Sequence, residues 1–502
     1  VFALNPTLES RLLKMIQSEY TAPLSLYLFG RQVKHSLMSQ NTLNKIELSA
    51  ALSLASVYVL RMLGLFMVIP VIAVAAVSFE DYSPLLVGLA VGGYGLTQAI
   101  LQIPFGVLSD KWGRKPVIFL GLTLFCIGSL IAGFADSMLM LTLGRILQGA
   151  GAIAGAIMAL ASDVTRESQR TKVMAIIGVS IGFSFYIALL VGPLLASSIG
   201  LQGIFLLTAA LSLACFPLVQ WGVNTRDSVE SPSGDALPKL SQIGGLFKHP
   251  MLWRLNLTVL VVHMLITCFF VQIPLFLINL DMPLAQHYQV YSVVLFASVI
   301  VLVGFMYMSN HLPLGNTFRL ALLLMAFGFF LLIVQAPSYW IICAAGILFF
   351  GGFNFLEAKM PALVSSLAPA GQKGSAMGVY ASHQFFGAFL GGLVSGLMNT
   401  YYDVQTTFVI CLVMIFLCAL ITRGLAAAER IKRVTLMFAE KKDNKGINDI
   451  SPITRQLKEL PGVRDVIADP IDMAFYLKVD AKSFNLGQAQ QVVYDNEQPL
   501  SK

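Results

Sequence analysis

Charge is scarce in this chain of 502 residues. Lys, Arg, Asp and Glu together make up 12% of it, about half of the roughly 25% usual in soluble proteins. That shortage excludes an ordinary soluble enzyme and a disordered chain. Cysteine is sparse as well. Cys126, Cys215, Cys268, Cys343, Cys411 and Cys418 all lie in apolar stretches, and none forms a CxxC pair. A disulfide framework and a thiolate metal site are therefore not indicated, and the six read as small lipid-embedded hydrophobes. There is no P-loop, no metal-ligand cluster and no nucleophile–base spacing. ATP-driven work is thus unsupported, and no enzymatic activity, metal or cofactor is expected. The net charge of +7 calls for no nucleic acid, because the basic residues sit in particular loops.

Apolar residues are abundant: 57% of the chain is hydrophobic and the mean hydropathy is +0.77. Charge is also unevenly spread, with seven charged residues in 1–45, 29 in 46–428 and 23 in 429–502. This contrast separates a membrane body from a soluble tail. A bilayer core needs about 20 apolar residues per helix. Twelve such segments are read at 47–78, 85–108, 117–135, 138–161, 172–197, 201–221, 252–280, 288–308, 317–336, 338–366, 373–399 and 402–427; they are called spans 1 to 12 below. Each is far longer than the roughly 10 residues of a barrel strand, so the spans are helical.

The connections alternate in charge. Lys111, Arg114 and Lys115 lie between spans 2 and 3, and Arg166, Arg170 and Lys172 between spans 4 and 5. Arg226, Lys239, Lys248 and Arg254 lie between spans 6 and 7, with Arg319 and Lys373 at the next two even-numbered connections. The remaining loops hold Glu80, Asp81, Asp136, Asp281 and Asp403 and no Lys or Arg. Positive-inside bias then predicts both termini and the basic loops in the cytoplasm. The polar stretch 222–250 reads as a linker between a six-helix bundle at 46–221 and a second at 251–428. Two such bundles can rock against each other around a central site. Residues 1–45 form an N-terminal segment without a signal-peptide h-region. Met38, just ahead of span 1, reads as a credible start, which makes 1–37 an over-extended gene model; a real amphipathic segment is the alternative.

Between spans 2 and 3 runs Gly106-Val-Leu-Ser-Asp110-Lys-Trp-Gly113-Arg114-Lys115-Pro116. Gly106 allows close helix approach, Gly113 a tight turn, and Asp110 an ion pair with a basic loop residue. The pattern resembles the G-x-L-a-D-r-x-G-r-k signature of the major facilitator superfamily, in the connection where that family carries it. Further stretches at 60–70, 94–116, 144–182 and 373–392 resemble bacterial inner-membrane members of the family with an appended soluble tail. The resemblance implies an all-α membrane protein of twelve helices in two six-helix bundles, located in the bacterial inner membrane. It implies a latch at the cytoplasmic end built from Asp110, Arg114 and, at the end of span 4, Asp163. The equivalent connection between spans 8 and 9, Gly304 to Phe318, lacks the signature. In span 5, Gly192-Pro193 resembles the Gly-Pro pair of the family's antiporters, although Ala196 and Ser197 replace the expected glycines. Close packing with a kink explains the pair equally well.

Charged and titratable residues inside spans are costly and usually face a cavity or a partner. Arg61 lies midway along span 1, and Arg145 in span 4 precedes Gln148 and Gly149, resembling the family's Arg-x-x-Gln-Gly element. Glu357 and Lys359 lie in the inner half of span 10, about 200° apart and so on opposite faces. Glu357 is the acidic side chain deepest in a span. Such a carboxylate can bind and release a proton, or can form a static ion pair with an Arg from another helix. His263 in span 7 is the second titratable candidate, and a hydrogen-bonded packing role is its alternative. His383 and Gln384 in span 11, with Phe353 and Phe355, are candidate cavity residues.

The tail, 429–502, follows a β-α-β-β-α order. Val434, Leu436 and Phe438 alternate, Ser451-Pro452 opens a helix, and Met473, Phe475, Leu477 and Val479 share a strand face. This order suggests a small α+β ferredoxin-like domain, suited to ligand binding or self-association, or else a passive appendage. The leading expectation for the whole chain is a secondary active transporter. It would be a proton-coupled exporter of small molecules or drugs, driven by the proton gradient, with lipid, protons and substrate as partners. Glu357 and His263 would carry the proton, and Arg61 and Arg145 would tune them electrostatically. A membrane sensor with a regulatory tail is the alternative.

Overall fold

The computed structural model describes residues 43–224, 240–369, 372–425, 431–437, 451–469, 474–480 and 483–497. Long apolar runs make long helices, because in lipid the backbone must satisfy its own hydrogen bonds. Ten helices are long and apolar enough to cross a bilayer. One of them, Lys172–Gly222, contains a break at Gly200 (φ 72°, ψ 176°). That positive φ reverses the chain, so the helix is spans 5 and 6 joined without a loop. Lys373–Tyr401 supplies span 11, and the described total is twelve. The remaining spans run Lys45–Ala75, Pro84–Trp112, Arg114–Gly133, Met138–Asp163, Leu252–Asn279, His287–Met308, Leu314–Val334, Tyr339–Leu367 and Val404–Thr422. The N-terminal segment to residue 42 and linker residues 225–239 lie outside the described residues. Leu240–Lys248 of the linker is a helix.

Span 4 is not the continuous helix that its sequence suggests. Its helix stops at Ala150 and restarts at Ala154. At the break, Gly149 presses on the Tyr94 carbonyl and Gly151 on the Gly121 carbonyl, so span 4 is wedged between spans 2 and 3 at backbone distance. At the opposite end from the signature loop, Asp81 accepts from the backbone N–H of Met138 (2.7 Å) and Leu139 (3.1 Å). These bonds cap span 4 and hold the Asp81 carboxyl below its ordinary range.

The core of the second bundle is one continuous apolar cluster. That of the first is divided into two, one near the signature loop and one near the opposite end. Arg61, Gln98, Arg145 and Gln148, all buried, lie between them.

The bundles meet along spans 2 and 11. Gly88, Gly92 and Gly95 on one stripe of span 2 lie against the backbone of Phe385, Phe389, Gly392 and Gly396. Span 11 turns a second glycine face, Gly387 and Gly391, onto the backbone of Leu260 and Met264 in span 7. Spans 5 and 8 pack through Leu189 near the end away from the signature loop. Nearer the loop, Gly178 and Gly182 of span 5 have nothing within 4 Å of where a Cβ would stand.

In the tail, β1 (Ile431–Met437), β2 (Val463–Asp469) and β3 (Ala474–Asp480) form an antiparallel sheet in the order β1-β3-β2. Helices Ser451–Glu459 and Leu486–Glu497 complete it. Placing β3 between β1 and β2 is the split βαβ arrangement of a ferredoxin-like domain. Its core is Leu436, Leu457, Phe475, Leu477, Val479, Ala489 and Val493. Phe438 and Met473 lie outside the described residues.

Candidate functional site

At the signature loop, Gly113 (φ 91°, ψ 157°) separates span 2 from span 3. Only glycine adopts that backbone readily, and the turn brings Arg114 back over the end of span 2. Its Nη1 donates to Asp110 Oδ1 (2.8 Å) and Ser109 Oγ (3.2 Å), and its Nε to Asp163 Oδ2 (2.8 Å). One half-buried guanidinium thus ties span 2 to the end of span 4. Gly106 is buried one turn before, its carbonyl accepting from Ser109 Oγ (2.8 Å). Lys115 points elsewhere. Its Nζ donates to the carbonyls of Gln220 (3.1 Å) and Val223 (2.8 Å), capping the C-terminus of span 6, where a cation meets the negative end of the helix dipole.

A second clamp escaped the sequence reading. Glu47 is buried at the start of span 1 and accepts from the Arg166 backbone N–H (3.0 Å), Nε (2.7 Å) and Nη2 (2.8 Å). It also accepts from the Asn44 N–H (2.9 Å), while Asn44 caps Glu47 in return. The Asn44-x-x-Glu47 capping box was the available signal.

Arg61 and Arg145 lie together in the first bundle, away from Glu357. The Arg61 Nη2 donates to the Gly151 carbonyl (2.6 Å), Tyr94 Oη (3.1 Å) and Gln98 Oε1 (3.2 Å). Arg61 therefore caps the half-helix that ends at the span 4 break, and its charge offsets carbonyls left open there. Arg145 donates to the Ala90 carbonyl (3.0 Å) and to Gln148 Oε1 (2.8 Å), and Gln148 donates to Ser129 Oγ (2.7 Å). The guanidinium carbons stand over aromatic faces, Arg61 over Phe125 and Arg145 over Tyr94. Neither has a carboxylate partner among the described residues. In span 5, Gly192 lies on the Met67 backbone of span 1, and Pro193 follows inside the helix.

Glu357, His263 and Gln384 converge from spans 10, 7 and 11. Each is ten or eleven residues from the signature-bearing end of its helix, or about 16 Å along the axis at 1.5 Å per residue. That depth is near the middle of a bilayer core of about 30 Å. Gln384 Nε2 lies 2.8 Å from His263 Nε2 and donates to Glu357 Oε1 (3.1 Å). His263 Nδ1 lies 3.1 Å from the Val259 carbonyl. A carbonyl only accepts, so Nδ1 carries hydrogen; an amide NH2 only donates, so Nε2 presents a lone pair. The second carboxylate oxygen, Oε2, is buried without a hydrogen-bond partner and stands 3.8 Å from that lone pair. Two acceptors thus face each other with no donor between them. The Glu357 side chain as a whole is 35% exposed, so water touches the rest of it while Oε2 stays buried. Among the described residues no Arg or Lys pairs with Glu357.

His383 does not join this group. Its Nδ1 bonds the Val379 carbonyl (2.8 Å) and its ring lies 5.5 Å from Phe247 of the linker helix. Phe353 lies beside His263, at 5.9 Å between rings. Phe355 is fully buried against Phe305 and Phe318 of spans 8 and 9.

The Major Facilitator Superfamily model matches residues 54–316 and 305–471. The chain belongs to the major facilitator superfamily. It is 36% identical over 452 residues to the inner membrane transport protein YajR of Escherichia coli K12, covering 89% of this chain and 97% of that one. It is 31% identical over 195 residues to the class B tetracycline resistance protein of Escherichia coli, covering 37% and 47% of the two chains. The crystal structure of a D-xylose–proton symporter shares the fold at a TM-score of 0.63, with 14% identity over 75% of this chain and 97% of that one. The protein is accordingly a multi-pass inner-membrane transporter and not an enzyme.

Proposed function

We propose that the protein is a proton-coupled exporter that exchanges protons for small molecules or drugs by alternating access. The observation that carries this reading is the facing pair of acceptors, Glu357 Oε2 and His263 Nε2, 3.8 Å apart at mid-membrane with no donor between them. A buried ionised oxygen without a partner is costly. One proton, on the carboxylate or on the imidazole, supplies the missing donor and changes the local charge. A site of this kind, reached by water from one side at a time, is what coupling to a proton gradient requires. No cofactor enters, since the gradient is the energy source.

The positive-inside rule puts the signature loop in the cytoplasm. On that orientation the stretch of span 5 at which Gly178 and Gly182 meet nothing faces inward. Similarity to a tetracycline resistance protein supports export over uptake. Asp110, Arg114 and Asp163 act as a latch that keeps the first bundle rigid at this end.

Proteoliposomes test the reading. Lumenal pH is followed under an imposed gradient with tetracycline or tetraphenylphosphonium as probe, for wild type and Glu357→Gln. Probe-dependent proton movement in the wild type is expected to fall at least tenfold in Glu357→Gln. Equal movement in the two proteins removes Glu357 from the coupling.

A further inference from the structure

Tyr186 of span 5 reaches across to the second bundle. Asn354 Nδ2, on span 10, donates to Tyr186 Oη (2.9 Å) and to Ser298 Oγ of span 8 (3.2 Å). Ser298 passes its own hydrogen to the Leu295 carbonyl (2.8 Å), so the serine is anchored and the amide is held against both bundles. The position of this bond is telling. One turn toward the closed end, Leu189 packs into the core of the second bundle. One turn toward the open end, Gly182 and then Gly178 meet nothing within 4 Å. Tyr186 therefore stands at the fork, where span 5 leaves the second bundle.

Asn354 and Glu357 are three residues apart and share one face of span 10. We propose that the Tyr186–Asn354 hydrogen bond is the positioning contact through which the proton state of Glu357 is communicated to the first bundle. The inference rests on the proton-coupled reading of Glu357. In the unprotonated pair, Gln384 ties span 10 to spans 11 and 7 through Glu357 and His263. When a proton bonds to Oε2, the carboxylate loses its charge and its hold on the amide weakens, so span 10 is freer to shift. Asn354 moves with it, and Tyr186 is where that shift meets the other bundle.

The titratable groups around Glu357 are His263 from span 7, the Tyr380 phenol from span 11, whose Oη has no hydrogen-bond partner, and Lys359 on the far face of its own span. Span 5 contributes Tyr186, one turn away.

The test uses the full chain in nanodiscs. Spin labels are placed at the signature end of each bundle through Lys111→Cys and His311→Cys, both exposed sites, while the six native cysteines are buried. Distances are measured at pH 4 and 8, a span that brackets an ordinary carboxylate. The wild type is expected to change its ratio of open to closed populations roughly five- to tenfold between the two, the weight of one hydrogen bond. Glu357→Gln should be flat. Tyr186→Phe, which keeps the ring and loses only the hydroxyl, should be equally flat, and Asn354→Ala should match it. A full response in Tyr186→Phe beside a flat Glu357→Gln overturns this inference and leaves the proton site standing. An undiminished response in Glu357→Gln, or none in the wild type, overturns both.

Discussion

The glycine contact between spans 2 and 11 makes a quantitative prediction for alternating access. An alanine at position 92 would place its Cβ 2.8 Å from the Phe389 carbonyl oxygen and 3.1 Å from the Phe389 Cα. Ordinary contact begins at 3.4 Å, so the two backbones must part by about 0.6 Å. Overpacking of this kind costs about 1–3 kcal/mol. The strain exists only while the bundles are closed at the end away from the signature loop, so Gly92→Ala disfavours that state relative to its opposite. The expected shift is roughly 5- to 150-fold in the ratio of the two states. Gly88→Ala should do more, because its Cβ would stand 2.8 Å from the Gly396 Cα and closer still to the Gly392 carbonyl. The assay is the distance between labels placed across the closed end, together with solvent access to a single cysteine there. Gly182→Ala is the control; with nothing within 4 Å it leaves this state unstrained. Unchanged distances in a well-folded Gly88→Ala protein would refute the idea that this backbone contact is what seals the end.

Three further outcomes follow from the hydrogen-bond geometry. Glu47→Gln breaks the bidentate hold on Arg166 and should lower stability by about 1.5–3 kcal/mol, read as a fall in melting temperature, with Arg166→Gln giving a similar loss. Arg61→Met leaves the Gly151 carbonyl and Gln98 without their shared donor; it should destabilise the first bundle by about 1–3 kcal/mol, while Arg61→Lys recovers part of the loss in the same thermal measurement. Phe475→Ala removes the centre of the tail core at a cost of about 3–5 kcal/mol. Limited proteolysis should then release the tail and leave the melting of the membrane body unchanged.

Length and hydropathy made the twelve spans legible, because each must be long, apolar and self-satisfied in hydrogen bonding. The tail order was legible from alternation and a Ser-Pro helix start. The signature residues were legible by spacing, and Asp110, Arg114 and Asp163 meet within 2.8 Å. Other features depend on contacts between distant segments, which no local pattern encodes. The break in span 4 follows from Gly149 and Gly151 pressing on spans 2 and 3. Arg61 looked like a partner for the titratable pair, yet its place is at that break. Tyr186 and Asn354 are 168 residues apart, and each alone reads as an unremarked polar residue in an apolar helix.

The side-chain amide of Gln384 adds a consequence of its own. Its nitrogen is turned toward two acceptors, so its orientation suits a neutral imidazole beside a charged carboxylate. An imidazolium at His263 presents a second N–H and demands an acceptor instead. A half-turn about the Cγ–Cδ bond of Gln384 places oxygen where nitrogen was, without moving any helix. The amide's orientation therefore goes with the charge state of its two neighbours, and a flip breaks both hydrogen bonds at once.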